Sequence, residues 1–175
     1  LINSFKAFVE KVINNGVYHG DLHPGNIAVT QDGKLVLYDF GNIGFLSTKM
    51  RNVIKKLFFS VINKDYEEFV KILLESGIVR EDIDISIVER DLMDAFEKRL
   101  ELSLGAFDMS GLIKDIVDIS RKNSIILPPE LVGFFRTLIL LETIGKEYVE
   151  DFSLNNLILD IVKDTDKTKE FFKDS

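Results

Sequence analysis

Two short stretches near the start of this sequence combine residue types that could bind a metal or move a proton. The first stretch is residues 19–26, His-Gly-Asp-Leu-His-Pro-Gly-Asn, and it contains Asp21 and Asn26. The second begins at Asp39, in the run Asp-Phe-Gly. Two carboxylates and an amide oxygen that lie close together form a hard oxygen site, which suits Mg²⁺ shared with phosphate oxygens and water. One of the carboxylates could instead orient a nucleophile.

The segment between the two stretches is predicted to bring them together. Two short apolar runs, residues 27–30 and 35–38, flank the pair Asp32 and Gly33. Asp-Gly supplies the positive φ angles that a tight turn needs, so this segment is predicted to be a β-hairpin. Because a hairpin returns the chain to where it began, we expect Asp39 to lie beside the first stretch, on one face of a cleft.

The remainder of the sequence is predicted to be helical. Apolar residues recur at spacings of three and four, which is typical of helices with one buried face. The residues Ser47, Asp65 and Ser153 are candidate helix caps, and residues 104–110 are predicted to form a loop. The predicted helices span residues 1–15, 47–62, 65–77, 85–104, 112–119, 129–145 and 153–162. The fold class is therefore mainly α, with one small β-hairpin that carries both polar loops.

The composition excludes several classes of protein. The chain has 175 residues, of which 46% are hydrophobic and 29% charged, so wholesale disorder is excluded. It has no cysteine, which excludes disulfides, thiolate metal sites and a cysteine nucleophile. The net charge of −7 argues against general nucleic-acid binding, and no stretch is apolar enough to predict a membrane span. Since the sequence opens in the middle of a helical pattern, we interpret it as part of a longer protein.

Several separated motifs together resemble a known family. The pattern His-x-Asp-x-x-x-x-Asn, a hairpin and Asp-Phe-Gly resemble the catalytic and metal-binding loops of protein-kinase-like folds. The form at residues 19–26 is shared by aminoglycoside and choline phosphotransferases and by UbiB-type (ADCK) atypical kinases. Residues 38–47 and the Leu-Pro-Pro-Glu-Leu run at 127–131 look like the UbiB type. The resemblance implies a carboxy-terminal kinase-like lobe over residues 1–152, followed by a terminal helix and polar tail at 153–175.

The resemblance also implies roles for the polar residues. Asp21 takes the position of the catalytic base, and Asn26 and Asp39 take those of the metal ligands. His19 matches the histidine that braces the Asp-Phe-Gly backbone. His23 stands where ordinary kinases place a phosphate-facing lysine, so it is expected to contact the nucleotide with Asn26 and Asp39. The implied cofactors are Mg²⁺ and ATP.

The function implied by the resemblance is that of an Mg²⁺-dependent, ATP-binding atypical kinase or ATPase. UbiB-type proteins are linked to isoprenoid-quinone (ubiquinone) biosynthesis and membrane lipid homeostasis, so an isoprenoid lipid or quinone precursor is an expected partner besides the nucleotide. The expected location is the cytoplasmic face of a membrane, reached through segments outside this chain. An apolar cleft face is also expected, through which the chain could form a homo-oligomer.

Other interpretations of these residues are also compatible with the sequence. A soluble phosphotransferase of the aminoglycoside or choline kinase type is one, although the Leu-Pro-Pro-Glu run and the lack of an acidic substrate loop argue against it. A catalytically silent kinase-like scaffold that binds lipid or partner proteins is another. His19, Asp21 and His23 could form a transition-metal cluster. The basic run at residues 49–56 could face anionic lipid, but a solvated helix face explains it more simply.

The first prediction concerns nucleotide binding by these 175 residues alone. The resemblance implies a second lobe that covers the adenine and holds the phosphates, and its nucleotide loop, strand lysine and Lys-x-Gly-Gln segment do not occur in this sequence. We therefore expect very weak binding of Mg²⁺-ATP and no appreciable turnover. Titration calorimetry with Mg²⁺-ATP measures the binding. A dissociation constant of about 1 μM at one site corresponds to about 8 kcal/mol, and that result would show that the nucleotide site is misplaced.

Overall fold

The computed structural model describes residues 1–78, 83–102 and 108–163, and within these ranges the chain is mostly helical. The mainly α fold class with a small hairpin is thus confirmed. None of the described helices is long and apolar enough to cross a bilayer. The elements are, in order, α1 (Ile2–Asn15), β1 (Val17–His19), a 3₁₀ turn (Pro24–Asn26), β2 (Ile27–Val29), β3 (Leu35–Leu37), β4 (Ile43–Phe45), α2 (Thr48–Ile62), α3 (Tyr66–Glu75), α4 (Ile85–Leu102), α5 (Met109–Lys122), α6 (Pro129–Tyr148) and α7 (Leu154–Lys163).

The predicted hairpin is present as the antiparallel pair β2–β3. Its central register pairs Ala28 with Val36. Gly33 in the turn has a φ of 76°, the left-handed conformation that the Asp-Gly pair predicts. The side chain of Thr30 closes the turn, since its hydroxyl oxygen accepts a hydrogen bond of 2.9 Å from the amide of Lys34.

A second antiparallel pair, β1–β4, was not predicted. Val17 pairs with Phe45 and His19 with Ile43. In the sequence, β1 precedes the hairpin and β4 follows it. Their pairing therefore brings together the two ends of the segment 17–45. The two polar stretches are consequently the two connections between one strand pair and the other.

The helix ends follow local capping chemistry. Ser47, Asp65, Asp108 and Ser153 each accept a hydrogen bond from the backbone amide three residues later, at 3.2, 3.1, 2.8 and 3.3 Å. Three of these caps were predicted, and Asp108 was not. α1 ends at Gly16 with a φ of 73°, as the Asn-Gly pair indicates.

Some predicted boundaries need correction or lie outside the described residues. The helix predicted over 112–119 begins earlier, at Met109, because Asp108 caps it. The predicted loop at 104–110 therefore ends before Met109, and its residues 104–107 are outside the described ranges. The terminal helix is α7, whereas the polar tail after Lys163 is not described.

The first of two compact units comprises residues 1–52 together with 129–163 of the described chain. Its core holds Phe5, which packs against Phe152 with ring centroids 4.9 Å apart. Tyr18 lies close to Gly44 and Gly133, because a Cβ added at either glycine would overlap the tyrosine side chain. The two glycines thus allow β4 and α6 to approach one aromatic ring.

The second unit comprises the described residues of 53–128 and has its own core. Phe96 is fully buried and packs against Tyr66 and Phe69, with ring centroids 4.5 and 4.7 Å apart. The guanidinium of Arg99 donates two hydrogen bonds, of 2.7 and 2.9 Å, to the carboxylate of Asp115. These hydrogen bonds, with the charge of that carboxylate, raise the pKa of Arg99.

The second prediction tests this ion pair. Only 16% of the Arg99 side chain and 19% of the Asp115 side chain are exposed, so neither charge is well solvated. Asp115→Asn should lower the free energy of unfolding by about 1–3 kcal/mol, because a shielded guanidinium loses one of its two carboxylate partners and keeps only the pair with Asp108, at 2.8 Å. Urea unfolding of the chain measures the change.

Asp118→Asn is the matched control for that change. Asp118 also pairs with an arginine, Arg121, but the two side chains are 72% and 78% exposed. Exposed pairs contribute little to stability, so this variant should unfold like the parent chain. Equal effects of the two substitutions would show that the Arg99–Asp115 pair contributes no more to stability than an exposed ion pair.

Candidate functional site

The two polar loops run side by side, as the hairpin predicted. The amide of Gly20 in the first loop donates to the carbonyl of Asn42 in the second, at 2.8 Å. At the other end, the amide of Tyr38 donates to the carbonyl of Asn26 at 2.9 Å. Both loops are therefore joined by main-chain hydrogen bonds at each of their ends.

His19 braces the two loops from inside. It is 3% exposed, and its Nδ1 accepts a hydrogen bond of 3.2 Å from the amide of Asp21. Since Nδ1 is an acceptor, the ring proton is on Nε2, which donates to the carbonyl of Tyr38 at 2.9 Å. The ring also packs against Phe40, with centroids 5.6 Å apart. The brace implied by the resemblance is thus present.

This geometry gives no support to a transition-metal cluster of His19, Asp21 and His23. Both ring nitrogens of His19 are engaged in hydrogen bonds, so neither offers a lone pair to a metal. Across the described ranges, no group of three His, Cys, Asp or Glu side chains is arranged to hold a metal ion. The predicted magnesium ligands form a different set, in which Asn26 supplies an amide oxygen.

The carboxylate of Asp21 lies between two cationic or ionisable groups. Its Oδ1 is 3.6 Å from Nη2 of Arg136, and its Oδ2 is 3.8 Å from Nε2 of His23. The side chain of Asp21 is 45% exposed, so a substrate can reach it from solvent. The position suits a group that accepts a proton from a bound molecule.

His23 and Asn26 are both oriented by hydrogen bonds within the first loop. Nδ1 of His23 accepts from the amide of Gly25 at 3.0 Å, which starts the 3₁₀ turn. The amide nitrogen of Asn26 donates to the carbonyl of Asp21 at 3.2 Å. That bond commits the nitrogen to the main chain, so the amide oxygen is the atom of Asn26 that can serve as a metal ligand.

Asp39 is connected to the first loop through its neighbour rather than directly. The amide of Tyr38 donates to the carbonyl of Asn26, and the carbonyl of Tyr38 accepts from Nε2 of His19. Both main-chain polar groups of the residue before Asp39 are therefore hydrogen-bonded. Asp39 itself has a φ of 48°, which is uncommon for a residue other than glycine. Its Oδ1 accepts from the amide of Gly41 at 3.1 Å, which stabilises the turn.

Helix α6 contributes residues that sequence reasoning missed. The hydroxyl of Thr137, which is buried, lies 3.0 Å from the carbonyl of His19 and 3.0 Å from that of Gly133. Arg136, the preceding residue, reaches Asp21. The contacts with His19 and Asp21 join residues more than one hundred positions apart, and no local pattern signals them.

The beginning of α6 is also tied to the strands and to α2. The hydroxyl of Tyr18 donates to the carbonyl of Glu130 at 3.0 Å. Burial, together with the nearby Glu130 carboxylate, raises the pKa of Tyr18, so the hydroxyl keeps its proton. The Glu130 carboxylate accepts from the amide and hydroxyl of Ser47, at 2.7 and 3.1 Å. Glu130 therefore helps to cap the helix that follows the second loop.

An apolar pocket of about 240 Å³ lies next to the second loop. It is lined by residues that include Phe8, Val12, Leu37 and Phe40. Phe40 is 59% exposed, and Ile43 on the neighbouring strand is 40% exposed. An exposed apolar face was expected here, whereas the molecule that covers it stays a prediction.

The third prediction tests the contact between α6 and β1. Thr137→Val keeps the shape of the side chain but removes the hydroxyl from the buried carbonyl of His19. A buried acceptor without its donor costs about 1–3 kcal/mol, so the free energy of unfolding should fall by that amount. Thr143→Val on the same helix is the control, because its exposed hydroxyl donates to a carbonyl of that helix, that of Ile139. Similar effects of both variants would contradict the assigned role of Thr137.

Comparison with known proteins finds two family matches. The ABC1 atypical kinase-like domain matches residues 2–73, and the UbiB helical domain matches residues 92–153. The uncharacterized protein sll1770 of Synechocystis sp. is 26% identical over 149 residues, which are 85% of this chain and 26% of that protein. The chain thus spans about a quarter of the length of this relative. No solved structure matches the chain.

The two matched domains follow one another in the order in which the loops and the later helices occur. The braced loops and the capped hairpin lie in the first match, and α5 and α6 lie in the second. The helical lobe is therefore kinase-like, and the chain belongs to the UbiB-type family of atypical kinase-like proteins.

Proposed function

We propose that the full-length protein is an Mg²⁺-dependent, ATP-binding kinase or ATPase of the UbiB type. The observation that supports this most is the junction at His19, which joins Asp21 of one loop to Tyr38 of the other. That junction brings a candidate base and two candidate metal ligands onto adjacent loops. Phosphoryl transfer needs this combination, because most of its catalysis consists of positioning and charge neutralisation.

The donor chemistry of the loops fits Mg²⁺ and a nucleotide. The amide oxygen of Asn26 and the carboxylate of Asp39 are hard oxygen ligands, which Mg²⁺ prefers together with phosphate oxygens and water. Bound Mg²⁺-ATP would supply the transferable phosphoryl group and neutralise its charge. The chain's own residues would then orient it: Asn26 and Asp39 hold the metal, and His23 faces the phosphates.

Asp21 is the proposed catalytic base. Its exposed carboxylate can accept the proton of an attacking hydroxyl or water, and its main chain is held by His19 and Asn26. The proton acceptor is thereby kept in a constant position relative to the loop that binds the metal. This arrangement serves transfer to an alcohol and hydrolysis by water equally.

The substrate and location follow from family membership alone. We propose an isoprenoid lipid or quinone precursor as the partner besides ATP, and action at the cytoplasmic face of a membrane through segments outside this chain. The match to the UbiB helical domain favours this over an aminoglycoside or choline kinase. The exposed apolar residues by the second loop are the proposed contact surface for a covering lobe or a second copy.

The fourth prediction tests the metal site in the full-length protein. Asp39→Asn should reduce Mg²⁺-ATP turnover by roughly 10²-fold or more, because a neutral amide replaces a charged ligand. Asparagine tolerates a positive φ as well as aspartate does, and its side-chain oxygen can still accept from Gly41. The backbone of the loop should therefore be preserved, and the melting temperature should stay close to that of the wild type.

Asp32→Asn is the control for Asp39→Asn. Asp32 is exposed in the turn of the hairpin and pairs with Lys34, so turnover should be unchanged. Wild-type turnover in a folded Asp39→Asn variant would show that Asp39 is not a metal ligand.

A further inference from the structure

The carboxylate of Asp21 is approached from two sides by residues of different elements. His23, on the same loop, faces Oδ2 at 3.8 Å. Arg136, on α6, faces Oδ1 at 3.6 Å. The family resemblance gives His23 an expected role, but it gives none to Arg136.

Stability does not explain the Arg136–Asp21 pair. The two side chains are 63% and 45% exposed. Solvated ion pairs of this kind contribute about 0–1 kcal/mol to folding. The contact at 3.6 Å is also longer than a hydrogen bond, so it acts through charge rather than through a bidentate fork.

The helix that carries Arg136 is held firmly against the strand that leads into the loop. Thr137, the next residue, donates a hydrogen bond to the carbonyl of His19. Near the start of the same helix, the carbonyl of Glu130 accepts one from the hydroxyl of Tyr18. Both bonds end on β1, two and three residues before Asp21. The backbone of Arg136 is therefore fixed relative to the loop that carries Asp21.

We propose that Arg136 is a positioning residue for Asp21. Its charge holds Oδ1, which limits rotation of the carboxylate and directs Oδ2 toward the reacting group. This inference rests on the proposed function. In the transfer step, Oδ2 accepts the proton of the attacking hydroxyl or water, the freed oxygen bonds to the γ-phosphorus, and ADP leaves with the electron pair of the broken P–O bond.

The main chain of Asp21 is positioned independently of Arg136. Its amide and carbonyl are bonded to His19 and Asn26. Loss of Arg136 should therefore free only the carboxylate and leave the loop in place. The expected signature is a lower kcat at an unchanged KM for ATP, because the nucleotide is held by other residues.

The test compares Arg136→Ala and Arg136→Lys in the full-length protein, with Mg²⁺-ATP turnover as the measurement. Displacing a catalytic group by about 1 Å costs up to about 10²-fold in rate, so Arg136→Ala should lower kcat about 10- to 100-fold. Arg136→Lys should recover part of this loss, since a point charge suffices for a contact of this length. Millimolar guanidinium should also partly restore Arg136→Ala. Arg121→Ala, which removes another exposed, ion-paired arginine from the other unit, is the control and should leave kcat unchanged.

The outcomes separate this inference from the function on which it rests. Turnover that Asp39→Asn abolishes but Arg136→Ala leaves intact overturns the role of Arg136 and keeps the proposed function. A raised KM at constant kcat overturns it too, because Arg136 would then bind the nucleotide. A lowered melting temperature with no recovery by lysine or guanidinium shows a structural role instead. Absence of turnover in the wild-type protein overturns the proposed function and the inference together.

Discussion

A single buried imidazole joins the two polar loops of this protein. His19 accepts from the amide of Asp21 and donates to the carbonyl of Tyr38, so it contacts the main chain of both loops at once. Buried polar groups need partners, and each of these three groups satisfies another. A side chain unable to both accept and donate at these two points would leave a buried group unpaired, and the loops would lose their common support.

The strands that frame the loops are too short to be stable without the helices. Each has three residues, and a two-stranded ribbon of that size is marginal in water. The first unit supports β1 through α6, whose Thr137 bonds to His19 and whose Glu130 bonds to Tyr18. Helix α6 begins more than eighty residues after β4 ends, yet it belongs to the same compact unit as the strands. The match to the UbiB helical domain includes α6, so residues from both matched domains contribute to the candidate site.

How much the sequence could predict depended on how local each interaction is. The hairpin was predictable because Asp-Gly determines its turn, and the caps at Ser47 and Asp65 were predictable because the bond spans three residues. The β1–β4 pair was not predictable, since three-residue strands show no clear alternation and pair across more than twenty residues. The contact between Arg136 and Asp21 joins an exposed arginine to a loop 115 positions away, and helical periodicity carries no information about that.

In both loops the main chain is held by hydrogen bonds, whereas the carboxylates of Asp21 and Asp39 are exposed. Asp39 has an uncommon positive φ, a conformation that costs about 1–3 kcal/mol and persists only where the surroundings enforce it. Here the enforcement comes from the neighbouring peptide, because Asn26 and His19 bind the amide and carbonyl of Tyr38. The carboxylate itself stays exposed. Asp21 follows the same principle, with its main chain bonded on both sides and its side chain in solvent. A site organised in this way keeps its backbone in place while its charged groups remain open to a ligand, which is what preorganised electrostatic catalysis requires.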